Sequence, residues 1–264
     1  MTTTTSPTAP PVRDDGLWGK GQIISYEELD SIPLPDKTAT YVPVPHRDFL
    51  YNINSYLEEI LGPKGYQVTA QQQIVTHEGR RMFGVIRLAN GASECQIEGA
   101  EMMIAHRNSY DKSMSAGLAL GAQCIACSNL YLGGEIVVMR KHTGDVLEYL
   151  HEHLILALFR ATDSWRQLSM EVQVMRQAPL CDEDAYGMLG RAAVNRAIQP
   201  MELINAAKAW QGREPSYDYG PDTLHRLYSC VTQVMRTVPP HQIMQRHRRW
   251  HNWARSTPEY LRAA

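Results

Sequence analysis

Four groups of residues in this chain have side chains that could do chemistry. The first is the polar series His106-Arg107-Asn108-Ser109-Tyr110-Asp111-Lys112-Ser113, followed by Cys127-Ser128-Asn129 and then Arg140-Lys141-His142-Thr143. Each piece lies beside an apolar run, at the expected end of a strand. If they meet at one sheet edge they form a polar pocket holding cations and an acid, suited to phosphate or nucleobase contact. The alternative is that Asn108, Ser109, Asp111, Ser113 and Asn129 cap backbone amides around turns. Asp111 and His142 could also act as general acid and base, although no signature names a reaction.

The second group is the C-terminal stretch from Arg236 to Ala264. It holds six Arg (236, 246, 248, 249, 255 and 262), no Lys and one acid, Glu259, for a net charge of +5, with Trp250 and Trp253 among them. Interleaved Arg and Trp can neutralise phosphates and stack on bases. The competing reading is a solvated cationic helix that docks its Trp on the core or pairs with an acidic segment. The third group, Cys124 and Cys127, has redox or half-zinc spacing but no second pair, and reads better as two small buried thiols in a strand. The fourth comprises His142, His151 and His153. Residues two apart on a helix point about 200° away from each other, which argues against a shared metal. No Walker loop, G-x-S-x-G elbow or H-E-x-x-H occurs. No metal, cofactor or catalytic residue is assigned from the sequence, and whether the protein is an enzyme is left open, more in favour of a binding protein.

Composition bounds the remaining choices. The 264 residues are 44% apolar, enough for a core, and 26 Lys+Arg against 28 Asp+Glu leave a net charge of -2. Any nucleic-acid binding must therefore come from a local patch. Five cysteines fit a reducing cytoplasm better than a disulfide framework. Neither a membrane-spanning run nor a leader with a basic start and an apolar core is expected.

The elements that must position these residues follow from periodicity. Residues 1–15 read as a flexible tail rich in Thr and Pro, and 16–45 as an extended surface arm, with one helical turn at Tyr26 to Leu29. Residues 1 to 40 carry six acids and three bases, so this end is locally negative. Phe49, Ile53, Tyr56, Leu57 and Ile60 predict a helix over 46–61. Tyr66 to Leu88, split at Glu78-Gly79, predicts a hairpin, and Cys95 to His106 a third strand. Residues 109–121 predict a short helix entered through a Ser or Asp cap. Cys124 to Cys127 and Glu135 to Lys141 predict two more strands.

Leu154, Leu158, Ala161, Trp165, Leu168, Val172 and Met175 then form a heptad seam, predicting one helix over 146–177, roughly 48 Å long. That seam could pack on its own sheet or on a neighbouring subunit. Leu150, Ile155, Leu156 and Phe159 lie off it, so a second face needs a second partner and a homo-oligomer is expected. Helices are predicted at about 182–194, 200–210 and 220–236. The chain is read as α+β: an antiparallel sheet of about five strands packed by a long helix, with a core over 46–178 and a helical C-terminal region with a basic tail over 179–264.

The runs SIPLPDKTATYVPVPHRDFL, RNSYDKSMSAGLALGAQCIACSNLYLGG, RKHTGDV and TLHRLYSCVTQVMRTVPP resemble a phage- and plasmid-borne family catalogued as domain of unknown function nine-three-two, over roughly residues 25 to 240. The most specific pieces fall on Asn108, Ser109, Asp111, Ser113, Cys127, Asn129, His142 and Thr143. Tyr110 and Lys112 stand where that family commonly has His and Gly, so a role for that His does not carry over. The order helix, GYQVTAQQQIVTHEGRRMFGVIRLANG, strand and Ala-rich segment is similar to the core of ring-forming single-strand annealing proteins. Those proteins are oligomeric and bind DNA through basic residues on the sheet and an adjoining helix.

These likenesses imply a phage or plasmid protein in the cytoplasm of its bacterial host, binding single-stranded DNA without a cofactor. Arg80, Arg81, Arg107, Lys112, Arg140, Lys141, Arg246, Arg248 and Arg249 are its expected contacts. The alternative is an interaction protein that inhibits a host defence or metabolic protein through the Trp- and Arg-rich tail.

Overall fold

A computed structural model describes residues 21–91, 97–124, 130–131, 137–140, 146–212 and 220–264. The fold is α+β. Its centre is an antiparallel meander of four long strands: β2 (Gln67–Thr76), β3 (Arg81–Ala89), β4 (Ala100–Ser109) and β5 (Ala116–Cys124). Three short strands extend it. β1 (Gln22–Ile24) pairs with β2, while β6 (Leu130–Tyr131) and β7 (Val137–Arg140) pair with different parts of β5. The arm is thus not a surface strap alone, because it supplies an edge strand and buries Leu29, Tyr41 and Val44.

The expected helix after Asn108 is instead a turn followed by β5. Ala and Gly crowd this stretch and score poorly as strand formers. Between larger neighbours they are the right size: Gly117 lies opposite Arg107, and Gly121 opposite Met103. The third strand also runs later than expected, from Ala100 to Ser109, so the polar series enters the sheet instead of following it.

Helix α1 (His46–Ile60) covers the sheet face that carries His106 and Asn108; Phe49 meets the His106 ring edge-on at 6.4 Å. The seam residues Leu154 to Met175 are all buried in the protein's own core, but on two helices: α2 (Val146–Phe159) and α3 (Ala161–Gln177). The break falls at Arg160, with no Gly or Pro there to announce it. Off the seam, Leu150 is buried, whereas Leu156 and Phe159 are 51% and 56% exposed.

The remaining helices are α4 (Asp182–Val194), α5 (Pro200–Trp210), α6 (Leu224–Val234), α7 (Pro240–Arg255) and α8 (Pro258–Ala263). Local chemistry starts several of them. Pro occupies the first position of α5, α7 and α8, where its missing N–H costs nothing. Glu202 reaches back to the Gln199 amide at 2.7 Å to close a capping box on α5. Thr223 and Thr257 cap α6 and α8. Packing completes the body: α2 lies on α1 and β7, α3 on β5 and α6, and α7 on β3 and β6. No helix among the described residues is long and apolar enough to cross a membrane.

Candidate nucleic-acid interface

The end of β4 shows what the polar series does. Side chains alternate along a strand, so His106 and Asn108 face α1 while Arg107 and Ser109 face the other way. Asn108 is fully buried. Its amide nitrogen donates to the Val44 carbonyl at 2.7 Å and to His46 Nδ1 at 3.0 Å, and His46 Nε2 donates to the Gly79 carbonyl at 3.0 Å. The Nε2–H tautomer of His46 follows from those two bonds. His46 stacks on Tyr110 at 3.8 Å, and Tyr110 Oη accepts the His46 amide at 2.7 Å. One network therefore ties arm, helix and hairpin together.

The turn after β4 is closed the same way. Ser109 Oγ donates to the Met114 carbonyl at 2.7 Å, and Asp111 accepts the Ser113 amide at 3.0 Å and pairs with Arg81 Nε at 2.6 Å. Burial raises the Asp111 carboxyl, but the bonds from Ser113 and Arg81 outweigh it and leave the pKa below its usual value. Lys112 takes a left-handed backbone, φ 63°, with its ammonium 4.7 Å over the Tyr41 ring. Arg80 is exposed and pairs with Glu78 at 3.1 Å. Capping and pairing use up Asn108, Ser109 and Asp111. Cys127, Asn129, Lys141, His142 and Thr143 lie outside the described residues. Arg140 is placed only by its backbone, opposite Ala116 at this end of the sheet.

His106 is fully buried above Gly84, where a Cβ would come within 2.5 Å of its ring. Neither ring nitrogen has a hydrogen-bond partner among the described residues, and burial, with His46 second, holds its pKa down at about 3. The site therefore favours the neutral ring.

The basic tail is not a solvated appendage. Helical period splits α7 into two faces. Inward go Trp250, 0% exposed and stacked between Tyr228 and Trp253, together with Arg246, His247 and His251. Arg246 is therefore no surface contact: it is buried and paired with Glu202, the same carboxylate that caps α5. His251 Nε2 lies 2.8 Å from Glu171, its Nδ1 3.1 Å from Tyr228 Oη, and Arg255 reaches Glu171 at 2.9 Å. Burial raises the Glu171 carboxyl, yet the bonds and charges of His251, Gln167 and Arg255 bring it below its ordinary value.

Outward go Arg248 and Arg249, both exposed. Neither has an ion-pair partner among the described residues. Arg249 donates to the backbone carbonyl of Arg196 at 3.3 Å, and Arg196 is itself exposed. Arg248 in turn stands close enough to Arg107 for its charge to act on it. Burial first and Arg248 second lower the Arg107 pKa. Arg107, 7% exposed, donates to Ser115 Oγ at 3.3 Å. Arg248 and Arg249 thus form an exposed cationic pair on the outer face of α7, while Arg107 is buried like Arg246. Arg196 has no distinguishing context in the sequence; only the approach of α7 to the turn after α4 brings its carbonyl to Arg249.

No protein-family model, curated protein or solved structure matches this chain.

Proposed function

We propose that this is a nucleic-acid-binding protein of phage or plasmid origin that holds single-stranded DNA on the outer face of α7, through Arg248 and Arg249, in the manner of an annealing protein. The observation that carries the reading is the outer face of α7. Arg248 and Arg249 are exposed and lack acidic partners among the described residues, whereas their inward neighbours Arg246 and Arg255 pair with Glu202 and Glu171. Trp250 is buried, so it is no platform for bases, and phosphate contact supplies the affinity.

Fluorescence anisotropy of a labelled single strand at about 50 and about 200 mM salt tests this, because phosphate-dominated binding weakens steeply with salt. Arg248→Glu with Arg249→Glu should cost at least tenfold in affinity. Absence of binding at micromolar protein would remove the reading.

A second reading, an interaction protein or a homo-oligomer, is favoured by Leu156 and Phe159. They sit three residues apart on α2, more than half exposed. Light scattering after size exclusion, beside a pull-down from host lysate, separates self-association from a host partner.

A further inference from the structure

Arg248 and Arg249 offer charge, and charge holds the phosphates of a duplex and of a single strand alike. Choosing between the two takes contact with the face of an unpaired base, which an aromatic ring supplies. On α7 that ring is Trp253. The other tryptophans among the described residues, Trp165, Trp210 and Trp250, are buried, whereas Trp253 packs on the core and stays partly exposed.

Helical geometry sets Trp253 beside Arg249. Both lie in the unbroken helix Pro240–Arg255, positions four apart share a face, and a helical side chain leans back over the turn before its own. Trp253 thus covers the turn that carries Arg249. Behind it lies Trp250, whose ring centroid is 5.4 Å from that of Trp253 with 20° between the planes. One face of the Trp253 indole is therefore backed by a fully buried aromatic, which fixes the ring and leaves little freedom to lose when a base stacks on the other face. Arg249 is steadied too. Its guanidinium donates at 3.3 Å to the carbonyl of Arg196, a residue with left-handed backbone, φ 58°. Glu259, the acid that α8 brings to α4, is taken up by Arg191 at 2.6 Å.

We propose that Trp253 is the base-stacking platform of this surface: one unpaired base lies on the indole face turned away from Trp250 while Arg249 holds an adjoining phosphate, and the site thereby selects single strands over duplex. This inference rests on the nucleic-acid reading above and adds what the cations lack. Phosphate contact supplies the bulk of the affinity, and stacking supplies the selectivity. Because every base has a π-face, the platform carries no preference for sequence.

The test is fluorescence anisotropy of the full chain with a labelled DNA single strand and with a duplex of the same length, at about 50 and about 200 mM salt. Trp253→Leu should lose about tenfold on the single strand, keep its duplex affinity and keep the salt slope of both, while Trp253→Phe retains most of the binding. Arg249→Gln should instead weaken both and flatten the salt dependence. Quenching of tryptophan emission by the single strand, present in the wild type, should largely vanish in Trp253→Phe, which carries the test if Trp253→Leu fails to fold by circular dichroism. A folded Trp253→Leu that binds single strands like the wild type, an equal loss on duplex, or quenching undiminished in Trp253→Phe overturns the platform and leaves the nucleic-acid reading standing. If neither strand nor duplex binds at micromolar protein, that reading falls and the platform with it.

Discussion

The end of β4 and the outer face of α7 both look like binding surfaces when read as strings of polar residues, yet the fold treats them oppositely. At the end of β4 nearly every polar group has an internal partner: Asn108 with Val44 and His46, Ser109 with Met114, Asp111 with Arg81 and Ser113. On α7 the helical period sorts one cationic run into an inner half matched by Glu171 and Glu202 and an outer half facing solvent. Density of polar residues thus measures how much hydrogen bonding a segment must satisfy. What remains after that satisfaction is the surface available to a ligand.

The largest effect expected from this contrast is on the inner half of α7. Glu171→Ala strands His251 and Arg255 and should cost about 3 to 5 kcal/mol, read by urea unfolding. A loss below about 1 kcal/mol would mean that this face is not held by its charges.

Next comes His106. Its folded pKa of about 3 lies below the ordinary value of 6.5, so the neutral ring is the stabilising form. The stability it contributes is fully present above about pH 6.5 and is lost as pH falls toward 3. Between about pH 7 and pH 4.5 this one group accounts for about 2 to 3 kcal/mol. His106→Leu should flatten that part of the pH profile; an unchanged slope would assign the acid sensitivity elsewhere.

Asn108→Ala should cost about 2 kcal/mol by leaving Val44 and His46 without their donor, with strand affinity unchanged. A selective loss of DNA binding in a stable Asn108→Ala protein would erase the distinction between the two regions. The smallest stability effect belongs to the outer face: Arg248→Gln with Arg249→Gln should move unfolding by less than about 0.5 kcal/mol.

Much of the fold was legible. The helix starting at His46, the hairpin around Glu78-Gly79 and the three helices after Pro179 follow from apolar period and turn residues, which act over a few positions. The errors share one cause. β5 looks helical because Ala and Gly have little intrinsic preference for a strand, and the space between β4 and its cover decided the matter. The break at Arg160 carries no Gly or Pro because it is set by what α2 and α3 each pack against. The candidate site was half legible: Arg248 and Arg249 were named by charge, while Arg107 and Arg246 were named with them and are buried.

By itself the sequence determined which segments bury an apolar stripe, where the chain must turn, and that cations accumulate toward the C-terminus, since these depend on residue type and short-range spacing. Tertiary structure alone decided which cations are neutralised. Glu171 lies 80 positions before His251 and Glu202 44 before Arg246, and Arg196 joins Arg249 across 53. A charge acts through space and not along the chain, so its fate is fixed only when packing has chosen its neighbours.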